Sequence, residues 1–143
     1  MREIYIAKPT VRVLYGDTDA AGIVYNANFL RYFEIGRGEL MRKQICSYKE
    51  IEKLGFVLPV VECWVRYKAP AFYDDIITIE TMVTEVDNLK CKFTYRVTRQ
   101  DEETERSRLL VRGYTIHAAT TRKGKLSRLP DTIIEKMKQL TAE

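Results

Sequence analysis

Residues 16–29 read Gly16-Asp17-Thr18-Asp19-Ala20-Ala21-Gly22-Ile23-Val24-Tyr25-Asn26-Ala27-Asn28-Phe29, a stretch that combines two carboxylates, a glycine and two asparagines. Ahead of it, residues 11–15 predict a short strand. Behind it, Phe29, Leu30, Phe33, Leu40 and Met41 recur at helical spacing. The stretch is therefore a strand-to-helix connection that delivers a carboxylate to a helix start. Unpaired backbone N–H groups and the positive end of the helix dipole favour an anion, or a developing oxyanion, at such a place.

That pairing suits acyl transfer. A thioester carbonyl attacked by water or by a carboxylate passes through a state with negative charge on its oxygen, which fixed N–H donors stabilise. The carboxylate acts either as a general base that takes a proton from water, or as a nucleophile that forms a mixed anhydride. Thiolate leaves readily, so no strong general acid is required of a chain with a single histidine. Against this stands a structural reading of Asp17 and Asp19 as turn and capping residues, since Asp bonds its local backbone in both settings. Gly22 adds a position open to backbone conformations that bulkier residues avoid.

The D-x-D-x-x-G-I-V-Y core and the later run Ala69-Pro70-Ala71-Phe72-Tyr73-Asp74-Asp75-Ile76-Ile77-Thr78-Ile79-Glu80-Thr81 resemble the hotdog-fold acyl-CoA thioesterases of the 4-hydroxybenzoyl-CoA thioesterase type, including the relatives associated with Tol–Pal. The resemblance spans residues 11–121 and implies one hotdog thioesterase domain over residues 1–143. It makes Asp19 the catalytic carboxylate and Asp17 its support, with Gly22, Tyr25 and Asn26 at the substrate. The backbone N–H at the position of Asn26 polarises the carbonyl. Some members carry His there; this chain keeps a backbone donor, which every non-proline residue supplies. The substrate implied is an acyl-CoA or an acyl carrier protein thioester, with no cofactor beyond the coenzyme A of the substrate and no metal. Family members join two sheets into a dimer and usually form tetramers, with the channel at the dimer interface. Trp64, Arg66 and Lys68 are the strand residues expected to complete a neighbour's site.

Composition narrows the alternatives. The hydrophobic share of 45% and charged share of 31% are those of a soluble globular domain, and no apolar run approaches the ~20 residues of a membrane span. The first seven residues lack a long apolar core, so no signal peptide is read there and the cytoplasm is the expected location. Cys46, Cys63 and Cys91 are widely spaced, which predicts buried thiols and neither a disulfide framework nor a zinc site. A net charge of +4 is too mild to indicate nucleic acid, yet it suits an anionic ligand. Arg122, Lys123, Lys125 and Arg128 form either a solvated turn or a phosphate contact for the coenzyme A nucleotide. Asp87-Asn88 stands where some relatives place arginines for that nucleotide.

The elements needed to hold the connection in place follow from periodicity. Gly36 and Gly38 inside the long helix point to close packing under a curved sheet. A second helix is expected from Ser47, capped with Glu50, to Gly55. Val61, Cys63, Val65 and Tyr67 alternate with Glu62, Trp64, Arg66 and Lys68, as a half-buried strand should; Leu89, Cys91, Phe93, Tyr95 and Val97 alternate likewise with Lys90, Lys92, Thr94, Arg96 and Thr98. Strands are also read at residues 76–86 and 109–119, with a polar hairpin at 100–104. A final helix is expected with Thr132 and Glu135 as its capping box. An antiparallel sheet of about five strands with one long helix makes this an α+β domain. His117, in the fifth strand, reads more readily as a hydrogen-bonded core residue than as a catalyst. The rivals to thioester hydrolysis are a hotdog hydratase or dehydratase, which wants a histidine facing the acyl chain, and a non-catalytic acyl-CoA binding or sensing module.

Overall fold

The computed structural model describes residues 2–142; Met1 and Glu143, the ends of the expected domain, lie outside them. Seven strands and three helices follow in order: β1 (Thr10–Arg12), α1 (Asn28–Gln44), α2 (Tyr48–Lys53), β2 (Phe56–Val57), β3 (Val60–Tyr67), β4 (Ile76–Val86), β5 (Lys90–Gln100), β6 (Ser107–Ala118), β7 (Thr120–Thr121) and α3 (Asp131–Leu140). Five form an antiparallel sheet in the order β1-β4-β5-β6-β3, and β2 pairs with β7.

Alternation decides which side of the sheet is dry. Ile77, Ile79, Thr81 and Val83 on β4, Cys91, Phe93, Tyr95 and Val97 on β5, and Val111, Thr115 and His117 on β6 are all buried. Phe29, Tyr32, Phe33, Gly36, Leu40 and Met41 of α1 are buried too, and the helix packs against β4 and β5. Each large apolar side chain so enclosed contributes ~1.5–3 kcal/mol. Phe33 stacks on Tyr95 with centroids 4.2 Å apart. Gly36 is where the helix comes nearest the sheet, since a Cβ there would stand 2.2 Å from Thr81 Oγ1 and 2.8 Å from Ile79 Cγ2. Gly38 faces only the Arg42 guanidinium, so close packing accounts for one of the two glycines. On α3, Ile133, Ile134, Met137 and Leu140 are buried, and the helix packs against β4.

Several expectations need correction. The first strand is confined to Thr10–Arg12, and Tyr15–Asp17 forms a 3₁₀ turn instead. The residues of β3 are almost all exposed, because β3 is an edge strand flanked only by β6. Leu89 is also exposed, just before β5 begins. Helix α3 starts at Asp131 behind Pro130, without a side-chain cap, so Thr132 is already inside it. Of the cysteines only Cys91 is buried; Cys46 is half-buried and Cys63 exposed. At α2 the expected cap is present, with Ser47 Oγ accepting the Glu50 N–H at 3.2 Å.

Candidate active site

The connection from β1 to α1 is held by Asp17. Its buried carboxylate accepts the Leu14 N–H at 3.1 Å and the Tyr32 hydroxyl at 2.9 Å, and pairs with the Arg31 guanidinium. Its carbonyl accepts the Tyr25 N–H at 2.9 Å and the Asn28 Nδ2 at 2.8 Å. Thus one residue staples the loop to the first turn of the helix. Burial and the adjoining Asp17 carboxylate raise the Tyr32 hydroxyl above its ordinary pKa, keeping it a donor.

Beyond Asp17 the chain doubles back. Thr18 bridges Val24, the Asp19 N–H reaches the Ile23 carbonyl at 2.9 Å, and the Gly22 N–H reaches the Asp19 carbonyl at 2.9 Å. Gly22 turns the corner at φ 83°, a left-handed conformation that costs glycine little. Asp19 is exposed at the tip of this turn, and its carboxylate accepts one hydrogen bond, from the Ala21 N–H at 2.9 Å. An exposed carboxylate with open lone pairs can take a proton or attack a carbonyl.

The two stretches that carry the resemblance lie side by side. Ile23 bridges Phe72, and the Val24 N–H donates to the Ala71 carbonyl at 2.9 Å. Asp75 braces that second stretch by accepting the Phe72 N–H at 2.8 Å and pairing with Arg99 at 2.7 Å.

At the other end of the turn, α1 begins at Asn28 with Ala27 as its N-cap, two residues later than the position of Asn26. The Asn28 N–H donates to the Tyr25 carbonyl at 2.9 Å. Among the described residues no acceptor takes the N–H of Asn26 or of Ala27. Adjacent free amides at the positive end of a 17-residue helix favour an anion on electrostatic grounds. The Asn26 carbonyl is fixed by the Tyr67 hydroxyl at 2.9 Å, while the Tyr67 ring meets Phe29 edge-on at 5.8 Å. Tyr25 is exposed beside them.

Trp64 and Arg66 do not join this group within the chain. Cross-strand pairing puts Arg66, Arg112 and Arg96 in one row, on the face of the sheet away from α1. Trp64 stacks on Tyr114 and lies under the Arg112 guanidinium on that same face. Lys68 is exposed just past the end of β3. The basic turn after β7 is tied to the end of α2 through Arg122, which donates to the Glu52 carbonyl at 3.0 Å. Asp87 closes the turn between β4 and β5 by accepting the Leu89 and Lys90 N–H groups, each at 2.8 Å.

Sequence reasoning missed Arg31, Tyr32 and Tyr67. The first two carried a signal: with Asn28 they are polar groups at i, i+3 and i+4, one face of an otherwise apolar helix start. Tyr67 carried none, for its role arises from a contact 41 residues away in sequence. His117 is buried with both ring nitrogens engaged, Nδ1 with the Leu58 carbonyl at 2.9 Å and Nε2 with Thr115 Oγ1 at 2.8 Å. Burial pushes its pKa down to about 4. It is a neutral core residue, with no nitrogen left for a hydratase. Among the described residues no three His, Cys, Asp or Glu side chains cluster to hold a metal ion, and no helix is long and apolar enough to cross a membrane.

Comparison with known proteins identifies the family. Residues 13–137 match the family model described as the thioesterase-like superfamily. A provisionally named esterase of Aquifex aeolicus (strain VF5) is 30% identical over 127 residues, 89% of this chain and 94% of that one. The acyl-CoA thioester hydrolase YbgC of Escherichia coli O157:H7 is 38% identical over 89 residues, 61% of this chain and 65% of its own length. A substituted 4-hydroxybenzoyl CoA thioesterase, solved with 4-hydroxybenzoyl CoA, superposes with a TM-score of 0.84 at 24% identity, over 92% of this chain and 98% of that one; this likeness concerns the fold. An antiparallel sheet enclosing one long helix is the hotdog arrangement, and the chain belongs to the thioesterase-like superfamily.

Proposed function

We propose that the chain hydrolyses an acyl thioester of coenzyme A, or of an acyl carrier protein, to the free acid and the thiol. The carrying observation is the pair of unbonded amides at Asn26 and Ala27, across the Gly22 turn from an exposed Asp19 on a loop that Asp17 anchors to the same helix. In the general-base route, Asp19 takes a proton from water as the water oxygen attacks the carbonyl carbon. Negative charge gathers on the carbonyl oxygen, where the amides hold it, and the C–S bond then breaks with the proton passing to the departing thiolate. In the nucleophilic route the Asp19 oxygen attacks, the thiolate leaves, and water opens the mixed anhydride. Removing one oxyanion donor typically costs ~2.7–4 kcal/mol of barrier. The reading uses water alone and no cofactor. The names of the relatives support the substrate class: the Escherichia coli protein is an acyl-CoA thioester hydrolase.

Residues 1–143 act in this proposal as one hotdog domain in the cytoplasm, within a homo-oligomer, in the first place a dimer and then a tetramer of two dimers. Support comes from β3, an eight-residue edge strand with one unpaired side and exposed Val60, Val61, Trp64 and Tyr67. An open edge of that length favours pairing with a second copy. Trp64, Arg66 and Lys68 would then serve the neighbour's substrate, with Gly22, Tyr25 and Asn26 serving the chain's own.

Free-thiol release from a panel of short, long and aromatic acyl-CoAs tests the reading. Turnover of at least one ester by the wild-type chain is expected, with the rate collapsing in Asp19→Asn. Binding without turnover across the panel, and an affinity that ignores Asp19, would identify a sensing module instead. Single-turnover hydrolysis in isotopically labelled water separates the two roles of Asp19.

A further inference from the structure

The face of the sheet turned away from α1 carries a row of cations. Cross-strand register sets Arg66 of β3 opposite Arg112 of β6, and Arg112 opposite Arg96 of β5. Strands lie ~4.8 Å apart, so the three side chains start from a line ~10 Å long. Lys68, two residues beyond Arg66 and exposed, adds a further positive charge past the end of β3. Like charges directly opposite one another in a sheet repel. The carboxylate in this row is that of Glu80 on β4, opposite Arg96 and 3.9 Å from it. Among the described residues neither Arg66 nor Arg112 has an ion pair or a hydrogen bond. Glu62, the acid nearest along β3, accepts the Tyr114 hydroxyl at 3.0 Å instead.

The central arginine is also held in place. The Arg112 guanidinium lies 5.4 Å over the Trp64 ring, and Trp64 stacks on Tyr114 with centroids 6.0 Å apart. A guanidinium packed on an indole keeps its N–H edge free and gives up little freedom when that edge is used. Its planar fork matches the oxygens of a phosphoryl group with two bonds. One phosphoryl group reaches two neighbouring arginines; a row of three accommodates two such groups in line.

We propose that this row binds the diphosphate group of a small soluble molecule, one phosphoryl between Arg66 and Arg112 and the next between Arg112 and Arg96, with Trp64 as the rigid support of the central guanidinium. The diphosphate belongs to a free nucleotide or to coenzyme A, and only the second source rests on the hydrolysis proposed above. The site itself is read from the sheet and does not depend on that activity.

Trp64 is the single tryptophan of the chain, so its fluorescence reports on this face. Titration of the full chain with pyrophosphate, orthophosphate and adenosine, followed by fluorescence and by calorimetry, is the test. Pyrophosphate should bind saturably and at least tenfold more tightly than orthophosphate, and adenosine should not bind. Arg112→Gln should raise the Kd for pyrophosphate at least tenfold and Arg66→Gln at least threefold, with Arg112→Lys between wild type and Arg112→Gln. Lys49→Gln, which removes an exposed charge from α2, should leave that Kd unchanged and controls for net charge. ADP binding that weakens in Arg112→Gln assigns the row to free nucleotides; a loss confined to coenzyme A assigns it to the substrate. Equal affinity for pyrophosphate and orthophosphate would overturn the site. So would a Kd that ignores Arg112→Gln, or that rises as far in Lys49→Gln.

Discussion

Asp17 and Asp19 stand two residues apart in one motif and live in opposite surroundings. Asp17 is buried, and its carboxylate is met by a backbone N–H, a tyrosine hydroxyl and a guanidinium. Asp19 is exposed, and its carboxylate holds one local amide. A buried carboxylate that already accepts three hydrogen bonds has little room to meet a substrate, but is a good anchor. Under the proposed hydrolysis the pair divides its labour: one aspartate builds the loop that the other uses.

Breaking Asp19 should give the largest effect. Asp19→Asn is expected to lower kcat on any competent acyl-CoA by ~10²–10⁴-fold, the usual worth of a positioned acid or base, with thermal stability unchanged. An equal loss in melting temperature would mean that Asp19 is a structural residue after all.

A second buried polar centre shows how large an anchoring effect can become. His117 is held at about 4 against an ordinary 6.5, chiefly by burial. The unfolded chain therefore takes up a proton that the folded chain refuses, so stability is full above pH 6.5 and falls as the pH drops from 6.5 towards 4. The loss approaches ~3 kcal/mol at the acid limit. Urea unfolding at pH 7 and pH 4, in wild type and His117→Gln, measures it: the acid-induced drop should shrink in the variant.

Asp17→Asn should leave Arg31 without its partner and disturb the bonds from Tyr32 and Leu14. A loss of ~2 kcal/mol in unfolding free energy is expected, together with reduced activity, because the loop loses its anchor. An Asp17→Asn chain of wild-type stability but without activity would reverse the assignment of the two aspartates.

The smallest effect sharpens the far side of the site. Tyr67→Phe removes the hydroxyl that fixes the Asn26 carbonyl and keeps the ring against Phe29. About 1 kcal/mol of stability and a several-fold fall in kcat/KM are expected, measured by thermal melting and steady-state assay.

Much of this was readable in the sequence, for identifiable reasons. The inner faces of β4, β5 and β6 alternate cleanly because α1 dries one side of the sheet, and the burial of Gly36 against Thr81 follows from the cost of glycine in a helix. The division between Asp17 and Asp19 was less accessible. Asp17 is defined by Arg31 and Tyr32, one helical turn into α1, and Tyr67 arrives from the sheet edge. Such contacts depend on how elements dock, which periodicity does not encode. The exposure of β3 was hidden for a related reason: its alternation is that of a half-buried strand, while its place at the edge is a matter of topology.

The central claim is that Asp19 and the amides of Asn26 and Ala27 act on one carbonyl group. A crystal structure of the Asp19→Asn chain with an acyl-CoA that the wild type turns over tests it most directly. The account predicts the thioester oxygen at ~2.7–3.2 Å from the N–H of Asn26 or Ala27, and the side chain of residue 19 at ~3–3.5 Å from the carbonyl carbon. A thioester bound with its carbonyl away from both amides, or with residue 19 beyond reach of the carbon, would contradict it.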